Sequence, residues 1–198
     1  MKASDSVSWT FLFDLLEVLG FPLTFIIWVR ACVTTPKYSL YFNGEAVGFI
    51  KGVKGLRQGD PISPYLFVLV MDTLSQMLHY KKSKETRLKY HWRCEKTKTN
   101  HLCSANDLMI FFYGDSLSTN LIKDTLNQFR DFTGVNANND KRYLFMAGVI
   151  KEVRDSIKQI FQFHSGSLPL KYLGIPLITS RLKRNGGKTS LKIGRAHV

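Results

Sequence analysis

Apolar positions recur at helical spacing from the start of the chain. Trp9, Leu12, Leu15, Leu16 and Leu19 form one stripe behind Ser8, whose hydroxyl suits a helix N-cap, and Gly20 closes the helix. Pro22 starts a second helix with Phe25, Ile26 and Val29 on its apolar face. The period then shortens. Residues 38–42 and 46–50 alternate as strands around Asn43-Gly44, a pair that favours a tight hairpin turn. A loop over 52–62 precedes a buried helix over 64–78, and a basic stretch over 81–98 reads as a partly ordered connection. Short strands are expected over 99–104 and 108–113, with Asn106-Asp107 as the turn between them. Residues 116–132 form an amphipathic helix on Leu117, Leu121, Ile122, Leu126 and Phe129, stopped by Gly134. A turn of Asn136, Asn138, Asn139 and Asp140 leads to a strand over 143–146, a helix over 149–161 on Val153, Ile157 and Ile160, and an extended stretch over 168–177. No internal repeat is present. Paired helices mixed with hairpins describe an α+β layer, not a doubly wound α/β sheet.

Composition narrows the classes. A chain of 198 residues with 44% hydrophobic and 22% charged residues is globular, with material for one real core and a second small lobe. No apolar run is long enough to span a bilayer. The longest candidate, 21–33, is broken by Pro22 and carries Arg30. Lys2 and Asp5 stand where the apolar part of a secretory signal would begin. The three cysteines, Cys32, Cys94 and Cys103, are odd in number and widely spaced, which suggests neither a disulfide framework nor a zinc site. Small thiols in a reducing, intracellular compartment, with no disulfide partner, are the expectation. The histidines show no metal-ligand spacing.

The net charge is +13, with an isoelectric point near 9.8. Such an excess favours polyanions, nucleic acid first, although lysine also serves solubility alone. Its distribution favours the former. The block 81–98 holds Lys82, Lys84, Arg87, Lys89, Arg93 and Lys96 with Tyr90 and Trp92 interleaved, and a second block over 181–195 contains no acid.

Two short words carry the candidate chemistry. The first is Gly55-Leu56-Arg57-Gln58-Gly59-Asp60-Pro61, followed by Ile62-Ser63-Pro64 and an apolar helix. The second is Ser104-Ala105-Asn106-Asp107. Taken alone, Asn106-Asp107 is most often a plain turn. In order along the chain, the two words resemble the reverse transcriptases of non-LTR (LINE-type) retroelements, in the version common in plants. The resemblance covers roughly residues 2–182. It implies a palm with part of the fingers, an antiparallel sheet backed by helices, and RNA-templated DNA synthesis. The implied partners are an RNA template, a DNA primer and deoxynucleoside triphosphates, with Mg²⁺ as cofactor and no membrane.

The resemblance also implies roles. Arg57, Gln58, Gly59, Asp60 and Pro61 would form the template- and nucleotide-contacting loop, in which glycine permits close backbone approach and Arg57 and Gln58 offer donors to phosphate or base edges. Asp107 would be a metal ligand. Asn138-Asn139-Asp140-Lys141 resembles the turn that sets a lysine, here Lys141, near the leaving pyrophosphate. Residues 168–176, with Leu173 and Gly174, resemble the hairpin that grips the primer end.

Phosphoryl transfer on two Mg²⁺ ions needs several hard carboxylate oxygens. The family pattern has an aromatic followed by Ala-Asp-Asp; here Ser104 replaces the aromatic and Asn106 the first aspartate. A neutral amide oxygen does not neutralise Mg²⁺ beside a triphosphate. A third acid belongs just upstream of a Lys-Ala-aromatic-Asp string. That string appears as Lys2-Ala3-Ser4-Asp5, so the acid falls before Met1, and Ser4 replaces the aromatic that screens the sugar 2′ position. A degenerate active site is therefore expected. The alternatives are a nucleic-acid-binding remnant without catalysis and a pseudogene product without function. The end of the chain is a separate matter: similarity fades after Leu182, and the last seven residues, Lys192 to Val198, match the in-frame translation of a common short-read sequencing adapter.

Overall fold

A computed structural model describes residues 3–85, 91, 94–104, 107–136, 142–146, 148–167, 170–172 and 175–177. The divergent tail from 183, with its adapter-like end, and the aromatic residues Tyr90 and Trp92 lie outside the described residues. The chain divides into two compact units: Met1–Lys81 with Thr125–Asn136, and Lys82–Asp124 with Ala137–Val198.

The first unit opens with a 3-10 turn, Ala3–Ser6, and helix α1, Trp9–Val18. Ser8 is the N-cap, its hydroxyl accepting from the Phe11 N–H at 3.4 Å. Leu12, Phe13 and Leu16 are buried, and Gly20 follows the helix at φ +76°. Helix α2, Leu23–Thr34, starts after Pro22, whose φ of −57° suits a helix entry. It buries Ile26, Val29 and Val33. Helix α3, Ser63–Lys84, buries Leu66, Phe67, Val70, Leu74 and Leu78 at three- and four-residue spacing. Each such side chain contributes about 1.5–3 kcal/mol of burial free energy. Strands β1, Lys37–Phe42, and β2, Glu45–Lys51, form an antiparallel hairpin. Asn43 and Gly44 turn it at φ +50° and +86°, as the Asn-Gly pair predicts. Every residue of both strands is exposed, so the alternation there builds a ribbon and not a half-buried sheet.

Residues 3–8 are tied to the rest of the first unit on two sides. The Ser8 N–H donates to the Thr133 carbonyl at 2.7 Å, and the Asn136 N–H donates to the Ser6 hydroxyl at 3.2 Å. On the other side, Gly55 N–H donates to the Val7 carbonyl at 2.7 Å and Leu56 N–H to the Ser4 carbonyl at 2.8 Å.

In the second unit, strands β3, His101–Ser104, and β4, Asp107–Ile110, pair antiparallel, and Phe111 N–H extends the ladder to the Asn100 carbonyl at 2.7 Å. The short strands β5, Tyr143–Leu144, and β6, His164–Ser165, pair in parallel, while β7, Leu170–Tyr172, and β8, Ile175–Leu177, form a hairpin. Helix α5, Lys151–Phe161, buries Ile157 and Phe161. Phe161 packs against Phe112 and Phe163, with ring centroids 6.1 and 4.9 Å apart. Helix α4, Ser116–Thr133, spans residues of both units.

The mixed α+β content agrees with the sequence reading, and three details differ. Among the described residues the strands pair as four separate two-stranded sheets, one of them parallel, and not as one antiparallel sheet. The buried stripe of α4 is rotated: Ser118, Thr119, Ile122, Thr125, Phe129 and Thr133 are inside, while Leu117 is 41% exposed. Two of these hydroxyls fit there by bonding back to the chain one turn earlier, Thr119 to the Asp115 carbonyl and Thr133 to the Phe129 carbonyl. Finally, α3 continues to Lys84, so the basic block starts on a helix.

Candidate functional site

The loop between β2 and α3 is shaped by local bonds. Asp60 ends it: its carboxylate accepts from the Ile62 N–H at 3.1 Å and its carbonyl from the Ser63 N–H at 3.1 Å, so this acid shapes the turn that leads into helix α3. Gly55 adopts φ +92° and lies so close to the N-terminal segment that a Cβ there would fall 2.8 Å from the Asp5 carbonyl carbon and closer still to its oxygen. The Trp9 indole N–H donates to the Gly55 carbonyl at 2.7 Å. Leu56 is buried under the loop, while Arg57, Gln58 and Gly59 are exposed. The Gln58 amide donates to the Asp5 carboxylate at 2.9 Å. Arg57 makes no ion pair among the described residues. An open cleft of about 530 Å³ in the same unit is lined in part by Arg30, Lys54, Ser8 and Thr34. Arg30 lies over the Phe13 ring, 4.2 Å from its centroid.

The second word sits on the β3–β4 hairpin. Ser104 and Asp107 face each other as its last described pair, so Asp107 is the first residue of strand β4 and not part of the turn itself. That corrects the sequence expectation, and the physical reason is register: Asp107 continues the ladder that Cys103↔Leu108 and Leu102↔Met109 establish. Cys103 and Tyr172 surround Asp107. The Tyr172 hydroxyl donates to the Asp107 backbone carbonyl at 3.2 Å, joining the β7–β8 hairpin to β4. Desolvation first, and the Asp107 carboxylate second, hold the Cys103 thiol above its ordinary pKa. Burial also raises the Tyr172 phenol, with Cys103 and Asp107 adding to it.

The structure therefore places Arg57, Gln58, Gly59, Asp60 and Pro61 on one loop and Asp107 on a hairpin beside Tyr172. Asn106, Lys141, Leu173 and Gly174 lie outside the described residues. Sequence reasoning missed the contacts of Asp5, Trp9 and Tyr172. Trp9 carried a usable signal, since a covered indole N–H needs an acceptor. Asp5 carried none, because its partner lies 53 residues away.

A family profile described as reverse transcriptase (RNA-dependent DNA polymerase) matches residues 1–177. The chain belongs to the reverse transcriptase family. It is 28% identical over 196 residues to the retrovirus-related Pol polyprotein from type-2 retrotransposable element R2DM of Drosophila melanogaster, covering 93% of this chain. It is also 35% identical over 65 residues, 33% of this chain, to an uncharacterized mitochondrial protein of Arabidopsis thaliana. The chain spans 18% of the length of the first relative, and the match takes in 53% of the second. Family membership implies a nucleic-acid template, nucleotide substrates and a divalent metal ion. Among the described residues the hairpin offers that ion few donors: the Asp107 carboxylate and the Cys103 thiol, whose proton is held more tightly than usual. Among the described residues no three His, Cys, Asp or Glu side chains converge. The described donors alone do not make up a two-ion phosphoryl-transfer centre. No helix among the described residues is long and apolar enough to cross a membrane. Cys32, Cys94 and Cys103 are free thiols.

Proposed function

We propose that this chain is a palm and fingers segment of a LINE-type reverse transcriptase that holds nucleic acid without extending a primer. The family reaction joins deoxynucleotides to a DNA primer on an RNA template with Mg²⁺. On this reading Arg57, Gln58 and Gly59 serve the template and incoming nucleotide, while Lys141, Leu173 and Gly174 take the roles that the family pattern gives their positions, at the pyrophosphate and the primer end. Asp107 is the surviving metal carboxylate. The observation that carries the inactive reading is Asn106 in the adjacent position, where a neutral amide replaces a charged ligand. Transition-state charge at the triphosphate then lacks its compensating ions. Binding rests on the +13 charge, on the exposed guanidinium of Arg57, and on Lys84, Lys96 and Lys98, all exposed.

Primer extension tests the reading. With Mg²⁺ and an RNA template annealed to a recessed DNA primer, incorporation of labelled deoxynucleotide is expected to match an Asp107→Ala control. Asn106→Asp alone is expected to leave it there. Incorporation by the parent chain above that control overturns the inactive reading. A chain that neither extends a primer nor binds the duplex overturns the nucleic-acid reading.

A further inference from the structure

We propose that Asp5 is a positioning residue for Gln58: it sets the direction in which the carboxamide of the loop over 52–62 faces its ligand. The function of that loop rests on the nucleic-acid reading above; the contact itself does not. One Gln58 N–H is spent on the Asp5 carboxylate at 2.9 Å. A flip of the amide would set its oxygen against the carboxylate oxygen, two acceptors in contact, so the charge of Asp5 selects one of the two amide orientations. The two backbones are held in step. Gly55 N–H and Leu56 N–H bond to the Val7 and Ser4 carbonyls on either side of Asp5, and the Trp9 indole bonds to the Gly55 carbonyl. The absence of a Cβ at Gly55 lets the Asp5 carbonyl lie against it. The loop therefore carries its own alignment device, a carboxylate delivered by a 3-10 turn 53 residues upstream in sequence. Gln58 is left with one N–H and its carbonyl oxygen in fixed positions, a donor–acceptor edge suited to a base or a sugar hydroxyl. A phosphate, which only accepts, uses half of that edge.

The test uses the full chain, labelled with ¹⁵N, and a fluorescent RNA template annealed to a recessed DNA primer. In the free chain the Gln58 side-chain amide proton that meets Asp5 is expected to lie downfield of its ordinary glutamine position and to exchange more slowly with solvent than its partner. Asp5→Ala should return it to the ordinary position and exchange rate, and Asp5→Asn, which keeps an acceptor oxygen, should largely preserve the displacement. If Asp5→Ala does not fold, Asp5→Ser carries the same expectation, since its hydroxyl is too short to reach. Loss of one oriented hydrogen bond corresponds to roughly fivefold weaker duplex binding. Gln58→Ala, Asp5→Ala and the double variant should all show that same loss, with Asp5→Asn within about twofold of the parent. Gln58 amide signals indifferent to Asp5→Ala overturn the contact. Signals that respond while the two binding losses add overturn the positioning role. A parent chain that does not bind the duplex overturns the nucleic-acid reading and the positioning role with it, and the amide signals then judge the contact alone.

Discussion

Replacing Gly55 with alanine should damage the first unit far more than the same change at Gly59, although both lie in the candidate loop with similar backbone. Gly55 has φ +92° and Gly59 φ +87°, so alanine at either position meets the left-handed penalty of about 1–2 kcal/mol. The surroundings differ. A Cβ at Gly59 has nothing within 4 Å, whereas one at Gly55 collides with the main chain of Asp5. Main chain cannot rotate aside as a side-chain tip can, so the loop and the N-terminal segment must part. Three hydrogen bonds span that seam: Gly55 N–H to Val7, Leu56 N–H to Ser4, and the Trp9 indole to Gly55. At about 1 kcal/mol net each, their loss adds roughly 2–3 kcal/mol, for a total of about 3–5 kcal/mol at Gly55 against about 1–2 at Gly59. Domains are stable by only about 5–15 kcal/mol, so the first change is severe and the second mild. Urea unfolding followed by tryptophan fluorescence reads this directly, because Trp9 sits at the seam. With a slope of about 2 kcal/mol per molar, the Gly55→Ala midpoint should fall about 1–1.5 M below that of Gly59→Ala. Equal midpoints for the two variants would refute the close approach.

Further outcomes follow from individual contacts. Asp60→Ala should cost about 1 kcal/mol by leaving the Ile62 N–H in the turn before α3 without its acceptor, measured as a lowered urea midpoint, and Asp60→Asn should recover most of it. Thr133→Val should cost about 1–3 kcal/mol in the same assay, because the fully buried hydroxyl both donates to the Phe129 carbonyl and accepts from the Val135 N–H. Cys103 and Tyr172 have raised pKa values in the folded chain, so both bind their protons more tightly folded than unfolded. Their contribution is fully present below the ordinary thiol and phenol values of 9.0 and 10.0 and is lost as pH climbs through the raised ones. Stability measured from neutral to strongly alkaline pH should decline over that window, less steeply in Cys103→Ala and Tyr172→Phe. Nucleic-acid binding, read by fluorescence anisotropy, should weaken linearly in log–log form as salt rises, and removing residues 192–198 should change it little. Salt-independent binding would reject the electrostatic account.

What the sequence shows and what it hides divide along the range of the interactions. Ser8 as an N-cap and Asn43-Gly44 as a hairpin turn are both written within a few residues, and the structure carries each of them out. The helix over 64–78 was legible from its apolar spacing but short by six residues at its C-terminal end, because the lysines and serine beyond Leu78 continue the helix without an apolar signal. On α4 the apolar pattern selected Leu117, and the structure buries Ser118 and Thr119 instead. Hydrophobicity alone does not reveal a hydroxyl such as that of Thr119, which bonds back to the Asp115 carbonyl. The pairing of Asp5 with Gln58 and of Tyr172 with the Asp107 carbonyl spans 53 and 65 residues, and only the folded chain shows them.

The same division bears on what degeneration does to a polymerase domain. On the proposed reading, the second word depends on charge at adjacent positions, and a single change, asparagine at 106, is enough to alter it. The loop over 52–62 depends instead on main-chain bonds, a glycine and a turn-shaping aspartate, each of which also holds the fold together. Losing Gly55 or Asp60 would cost stability in any chain that still folds, so these residues are held by packing as well as by chemistry. A chain released from catalytic selection is then expected to keep the loop longer than the carboxylates. On the proposed reading, a sequence that carries Arg57-Gln58-Gly59-Asp60-Pro61 unbroken and asparagine at 106 fits the order of loss that these unequal constraints produce.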